Sequence, residues 1–439
     1  MKEYESYSPT DVKWLGDIPA SWKCKKIGSL FSERKTKVSD KDFVPLSVAK
    51  IGVVPQLETA VKSDAGDNRK LVRAGDFVIN SRSDRKGSCG VSELDGSVSL
   101  INIVLEPRQE WNGRYVHYLM RSHIFSEEYY RYGRGIVADL WTTRYSEMKN
   151  ILLPIPPRSE QEQIVRYLDW QVSKINKLIE AKKKQIVTIK ELRRAEIERQ
   201  LYAYPTIETV RLKQLGSFFK GGGFSRDNLV AEMDFPAILY GDIYTQYEYK
   251  TDTITHYIDE TAYDASRKIS KGDIVMAGTG ETKDEIGKSI LYFGDNIVAV
   301  GGDVIVFHPN DDINAEYLLY QLYSQSALKH RYINGKGDII VHIYSTALGN
   351  TLISMPCKED QEKTVVRINE IIAQTDRAVV VLTDEISVLK EYCTRLISDV
   401  VIGQIDIRGI DVPDFEYVED INDISAEDEN PEEISDDAE

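Results

Sequence analysis

Residues 359–401 read EDQEKTVVRINEIIAQTDRAVVVLTDEISVLKEYCTRLISDVV, with neither proline nor glycine. Within them Ile368, Ile372, Thr375, Val379, Leu382, Ile386, Leu389, Cys393, Leu396 and Val400 follow alternating steps of four and three, the a/d seam of a coiled coil. Glu359, Asp360 and Glu362 sit where a helix start favours negative charge, and Gly403 is placed to stop it. Two hundred positions earlier Leu168, Val172, Ile175, Ile179, Ile186 and Ile189 keep the same register. There the spacing predicts a helix over 159–203, opened by a Ser159/Glu162 capping box and closed before Pro205. Lys182, Arg193, Glu196 and Gln200 interrupt this seam and weaken it toward its C-terminal half. About 45 residues at 1.5 Å rise give roughly 65 Å, longer than a small domain face, so the helices are expected to pair with each other.

The stretches that precede the helices also repeat. Ile27-Gly28-Ser29-Leu30-Phe31 is echoed by Leu215-Gly216-Ser217-Phe218-Phe219, and Arg73-Ala74-Gly75-Asp76-Phe77-Val78 by Ser270-Lys271-Gly272-Asp273-Ile274-Val275. Tyr115-Val116-His117-Tyr118-Leu119 matches Tyr317-Leu318-Leu319-Tyr320-Gln321, and Gly133-Arg134-Gly135 matches Gly335-Lys336-Gly337, all in the same order. Strands are expected at Asp76–Asn80, Ile101–Leu105, Asp273–Ala277 and Val304–Phe307, and helices at Tyr115–Tyr132 and Glu316–Tyr332. Repetition without regular βαβ alternation gives an α+β class. A helix that delivers the chain to the second domain, and a duplicate that returns from it, must run antiparallel, with one globular domain at each end.

With 439 residues, 42% of them hydrophobic, the chain can bury two or three cores. Its formal charge of −16 argues at first against nucleic acid, but residues 411–439 hold fourteen acidic residues and no Lys or Arg. The 57 remaining acids nearly balance 55 basic residues. Residues 1–206 carry 35 basic and 27 acidic groups, whereas 207–410 carry 20 and 30. The tail is expected to be a disordered solubilising end, with a DNA-mimicking or partner-contacting segment as the alternatives. Cys24, Cys89, Cys357 and Cys393 lie far apart and suit reduced thiols, and the start lacks a signal peptide, so a cytoplasmic protein is expected.

Catalytic signatures are missing. Gly278-Thr279-Gly280 leading to Gly287-Lys288-Ser289 has Thr282 where a phosphate loop needs glycine, and Asp284 and Glu285 would repel phosphate. It reads as a polar turn. No nucleophile elbow, zinc motif or dinucleotide fingerprint occurs. Basic, polar and aromatic loops recur instead at equivalent places. In the first half these hold Arg82, Ser83, Arg85 and Lys86, then Arg131, Arg134, Trp141, Thr142, Thr143 and Arg144. In the second they hold Lys220 and Arg226, Thr279, Thr282 and Lys283, then Arg331, Lys336, Tyr344 and Ser345. Arg and Lys suit phosphates and guanine edges, and Ser and Thr suit bases, so these are the candidate DNA-binding residues.

Trp14-Leu15-Gly16-Asp17-Ile18-Pro19, the junction Ile151-Leu152-Leu153-Pro154-Ile155-Pro156-Pro157 with Glu160-Gln161-Glu162-Gln163-Ile164, and Met355-Pro356 with Asp360-Gln361-Glu362 carry a resemblance. With the ending Gly403-Gln404-Ile405-Asp406-Ile407-Arg408-Gly409, the chain resembles the DNA specificity subunits of type I restriction-modification systems over residues 12–410. Cys357 departs from the second proline of the junction, and the acidic tail lies outside the shared pattern. The resemblance implies target-recognition domains at 1–158 and 205–358, a central conserved helix at 159–204, a distal one at 359–410, and a tail at 411–439. It implies a non-catalytic subunit that reads a bipartite double-stranded DNA target, one half-site per domain. The helices would fix the distance between domains and dock two modification subunits, with two restriction subunits joining in some assemblies. S-adenosylmethionine, ATP and magnesium would belong to those partners, with no cofactor or metal on this chain. A coiled-coil adaptor that never meets DNA would explain the helices but not the duplicated domains.

Overall fold

The computed structural model describes residues 3–57, 66–82, 85–109, 111–135, 141–231 and 234–418. The two long helices span Arg158–Leu201 and Lys358–Val401. The first starts one residue before the expected capping box. Amide N–H groups of Glu160 and Gln161 donate to the Pro157 carbonyl, and Glu162 pairs with Arg158 at 2.9 Å. Ser159 is therefore inside the helix, because Pro157 already supplies the boundary. In both helices a buried glutamine turns back on the preceding proline: Gln161 Nε2 donates to Pro156 O at 3.0 Å, and Gln361 Nε2 to Pro356 O at 2.9 Å. The second helix ends in a Schellman turn, with Gln404 N–H on Asp399 O and Gly403 N–H on Val400 O. Gly403 takes φ +81°, and a Cβ there would lie 2.4 Å from Pro19 Cδ.

The chain forms two compact units, Met1–Lys184 with Leu382–Glu439, and Gln185–Val381. Their limits fall inside the long helices, so each unit takes the start of one helix and the end of the other. In the first unit Leu168, Val172, Ile175 and Ile179 share a core with Leu396, Val400 and Val401, and Lys182 pairs with Glu385 at 2.6 Å. In the second, Ile197 and Leu201 share a core with Val365 and Ile368. Pairing is antiparallel in each. Ile186, Ile189, Ile372, Thr375, Val379, Leu382, Ile386, Leu389 and Cys393 are half-buried at seam positions, while most of their helical neighbours are exposed. Arg193, one of the polar interruptions, is the most buried residue of its stretch: it keeps its charge at the seam by pairing with Glu248 at 2.8 Å and with Asp376.

One sheet of each globular part keeps the same strand order, while the other sheets differ, a three-stranded one through Arg69–Val72 in the first part against a five-stranded one through His256–Ile258 in the second. The first unit orders Cys89–Val91, Phe77–Asn80, Asn102–Pro107 and Phe31–Glu33 in an antiparallel sheet. The second orders Ser289–Tyr292, Ile274–Ala277, Val304–Pro309 and Gly216–Lys220 in the same way, extended by a parallel edge strand, Lys250–Thr251. The Gly-Asp repeats are the turns that open the central strands. Asp76 accepts from Arg73 N–H and Asp273 from Ser270 N–H, both at 2.8 Å. A further strand pair joins each sheet's unit to its helix: Lys23–Lys26 with Leu152–Ile155, and Glu208–Arg211 with Leu352–Met355.

Where one helix was expected after each sheet, there are two. Gly113–Arg121 and His123–Arg131 are separated by Ser122, and Ala315–Leu322 and Gln325–Asn334 by Tyr323 and Ser324. Each serine caps the following helix, accepting from Phe125 N–H or Ala327 N–H at 3.3 Å, and that local bond outweighs helix continuation. The equivalent tyrosines then tie the first helix of each pair to the long helix behind it. Tyr118 OH donates to Asp169 and Tyr320 OH to Asn369, both at 2.7 Å.

Residues 411–418 are not a free tail. Val412 and Phe415 pack on the first unit's core, Val412 O accepts from Arg166 at 2.8 Å, Glu416 pairs with Lys177 at 3.1 Å, and Arg114 stacks on Tyr417 at 4.6 Å. The remainder of the acidic segment, 419–439, lies outside the described residues.

Candidate nucleic-acid interface

In the first unit the turn after Phe77–Asn80 and the segment after His123–Arg131 come together. Arg82 bridges Thr142, Arg134 bridges Thr142, and Thr143 N–H donates to Ser81 O at 2.9 Å. The pairing brings Arg134, Thr142 and Thr143 beside Ser81 and Arg82. The cleft between them is lined by Arg82, Arg85, Lys86, Tyr130, Trp141 and Thr143 over a floor of Phe125 and Tyr129. Trp141 leans on Tyr130 with ring centroids 5.3 Å apart, and Lys86 Nζ sits 4.9 Å above the Tyr130 ring. Ser83 lies outside the described residues.

Not every candidate faces this cleft equally. Arg131, Arg134 and Arg144 are exposed, Arg131 pairing with Glu128 at 2.7 Å and Arg134 lying 4.0 Å from Glu147. Thr143 is buried, its hydroxyl donating to Tyr129 O at 3.1 Å. It holds the loop rather than presenting a hydroxyl to a ligand.

The second unit builds the same junction. Thr279–Gly280 pairs with Val341–His342, Lys336 bridges His342, and Ile343 N–H donates to Gly278 O at 2.9 Å. Thr279 Oγ1 lies 3.0 Å from His342 Nδ1. Thr282, Lys336 and Tyr344 are exposed, and Lys283 and Ser345 are half-buried. Exposed Lys220 lies 3.8 Å from Asp303, whose carbonyl accepts from Gly278 N–H, so it joins this end of the sheet. Exposed Arg226 approaches Gly241, one turn before Tyr244, whose hydroxyl donates to Thr279 O at 3.1 Å.

Arg331 does not belong with them. It is 3% exposed, donates to Gly287 O at 2.5 Å, and lies 5.7 Å from the Tyr323 ring. Burial pushes its guanidinium below the usual arginine range. In the register that matches Gly133 with Gly335, Arg331 stands opposite buried Tyr129, whereas exposed Arg131 stands opposite exposed Ile333; the Gly287–Ser289 turn takes up the Arg331 side chain. That same turn is the stretch that imitates a phosphate loop. Lys288 Nζ donates to Tyr244 O at 3.1 Å, and desolvation lowers its pKa, so it closes a turn between antiparallel strands.

Sequence reading missed Tyr130, which completes the cationic and aromatic wall, and the exposed pair Ile339 and Ile340 at the tip of the second unit's loop. Their signal is an adjacent pair of β-branched residues just after Gly335-Lys336-Gly337. Among the described residues no cluster of His, Cys, Asp and Glu could hold a metal ion, and no helix is long and apolar enough to cross a membrane.

In each unit an α+β part, with its strand-end loops joined at one junction, packs with antiparallel segments of the two long helices. Residues 205–382 match the family model described as the type I restriction modification DNA specificity domain. Among solved structures, a chain from work on complex assembly and conformational transition of the type I R-M system is 16% identical, with a TM-score of 0.64. The match covers 88% of this chain and 99% of that one. The HsdS subunit from Thermoanaerobacter tengcongensis is 17% identical, with coverage of 88% and 98% and a TM-score of 0.45. The type I S subunit from M. genitalium is 16% identical, with coverage of 93% and 100% and a TM-score of 0.35. No curated protein matches. Over residues 205–382 the chain is thus similar to the type I restriction modification DNA specificity domain.

Proposed function

We propose that this chain is the sequence-reading subunit of a type I restriction-modification complex, each recognition domain addressing one half of a split double-stranded DNA target. The observation that carries the reading is the specificity-domain match over residues 205–382, on a fold whose other half repeats the same sheet order and the same loop junction. Its role is binding and placement. Methyl transfer to DNA, and cleavage where it occurs, belong to two modification and two restriction subunits of a cytoplasmic assembly, which also bring S-adenosylmethionine, ATP and magnesium. Domain limits near 158, 204, 358 and 410 follow from this division of labour. The solved relative with the same fold comes from a study of type I complex assembly, which supports association with such subunits. A non-DNA adaptor has no observation in its favour.

The test is co-expression with a modification subunit of this class and mapping of methylated bases. The expected product is a bipartite site with two defined halves. Exchanging residues 1–158 for another recognition domain should change one half only. Methylation at a single continuous site, or none in an assembled complex, overturns the reading.

A further inference from the structure

Behind each loop junction, where a short helix hands the chain to the strand pair, the two units build one corner from different residues. In the first the helix is Tyr145–Met148, and Gly28 N–H donates to Lys149 O at 2.9 Å. In the second it is Ser345–Leu348, and Lys213 N–H donates to Gly349 O at 3.0 Å. The next residues close both corners alike: Asn150 Nδ2 donates to Ser146 O at 3.1 Å, and Asn350 Nδ2 to Thr346 O at 3.0 Å. The backbones therefore match residue for residue, Gly28 with Lys213 and Lys149 with Gly349. Lysine and glycine have changed sides.

The exchange has a steric cause. A Cβ on Gly28 would lie 3.0 Å from Lys149 Cβ, and one on Gly349 would lie 3.2 Å from Lys213 Cβ, so the two facing positions have room for one side chain between them. In both units that side chain is lysine, rooted at the same place whichever segment supplies it. A second cation repeats beside it, Lys26 opposite Leu152 in the first strand pair and Arg211 opposite Leu352 in the second. All four are exposed, and no carboxylate pairs with any of them among the described residues. Glu147, the acid nearest to Lys149 in sequence, accepts from Ser146 and lies 4.0 Å from Arg134. Glu208, the acid nearest to Arg211 in sequence, stands at the other end of its strand, opposite Met355.

We infer that Lys26 with Lys149, and Arg211 with Lys213, are sequence-independent phosphate contacts, one pair for each recognition domain. This rests on the DNA-specificity reading above. Residues that read different half-sites must differ, and those of the junction do: Thr142 and Arg144 stand where the second unit has His342 and Tyr344. A contact kept in both halves must meet what both half-sites share, the sugar-phosphate backbone, which positions without specifying. The exchange preserves charge at one place. It preserves neither the segment that carries the charge nor, with lysine at 26 and arginine at 211, a hydrogen-bonding fork. A phosphate accepts such a point charge, whereas a docked protein surface needs matched shape. The corner also adjoins the reading loop: Lys149 N–H donates to Tyr145 O, one helical turn from Thr143, whose own N–H closes the junction on Ser81 O.

The experiment titrates the full chain, assembled with its modification subunits, onto the mapped target and onto an unrelated duplex across a salt series. Lys26→Met with Lys149→Met keeps the methylene stems and removes both charges. It should flatten the slope of log K against log salt by about 0.9 for each phosphate no longer neutralised, up to about 1.8, on both duplexes. Arg211→Met with Lys213→Met should do the same, and the methylated sequence should stay unchanged in both variants. Lys149→Gly with Gly28→Lys carries the charge to the other segment, as the second unit does. It should keep the parental slope, where Lys149→Met alone loses about 0.9. An unchanged slope in either double-methionine variant, or a transfer variant as flat as Lys149→Met, overturns the inference. So does an altered methylated sequence, which would make these residues base readers, or loss of the modification subunits, which would make them a protein-docking site. A parent complex that shows no bipartite site counts against the functional reading, and the slopes on the unrelated duplex still decide this inference.

Discussion

Replacing Arg193 tests what a buried charge does in a helix seam. The side chain is 2% exposed, its Nε has no partner among the described residues, and its other nitrogens meet Glu248 and Asp376. Those two carboxylates remain 58% and 50% exposed, so removing the arginine lets them return to water. The roughly 3–5 kcal/mol expected for breaking a fully buried pair therefore does not apply in full. What Arg193→Ala loses is chiefly the packing of two methylenes, Cγ and Cδ, at about 0.8 kcal/mol each, or about 1.5–2 kcal/mol in all. Arg193→Leu refills the seam and removes the desolvated charge, so its stability should lie within about 1 kcal/mol of the parent. For a unit of this size, about 2–4 °C per kcal/mol converts these to a Tm lowered by about 3–8 °C for alanine and by at most about 4 °C for leucine. Differential scanning calorimetry of the full chain, following the transition of the second unit, reads both. A leucine variant that falls as far as alanine would refute the packing argument and make the ion pair itself the stabilising element.

Other outcomes follow from single sites. Burial, with help from Arg121 and Arg114, pushes the His117 imidazole down to about 3, and its Nε2 lies 2.8 Å from Arg121 Nη1. The unfolded chain takes up that proton below about 6.5 while the folded one does not, so the first unit should lose stability as pH falls from about 6.5 toward about 3; urea midpoints of His117→Gln should decline less steeply there. Gly403→Ala combines a left-handed backbone with a clash on Pro19 and should cost at least about 1–2 kcal/mol, seen as a lower melting temperature of the first unit. Arg331→Ala should lower the melting temperature of the second unit, whereas Lys336→Ala should leave it unchanged; equal melting curves would return Arg331 to the surface set.

The distribution of charge and the length of each helix were legible in the chain, because a/d periodicity and internal repetition are properties of order alone. The Ser122 and Ser324 breaks were not, since Tyr at helical spacing continues smoothly through them and only a local cap bond decides otherwise. The loop junction was half legible. Equivalent basic segments could be found by matching the two halves, but which of their side chains point outward depends on what packs beneath them. Thr143 and Arg331 illustrate the difference: both sit in polar stretches, and both are consumed by carbonyls of neighbouring segments. Order by itself determined two recognition halves, two long helices and the family they resemble. Tertiary structure alone decided that Arg193 is buried in the seam, that residues 411–418 bind back on the first unit, and that Arg331 is enclosed. The physical reason is that periodicity records which face of an element is apolar, whereas the fate of a polar side chain is set by partners that can lie tens to hundreds of residues away.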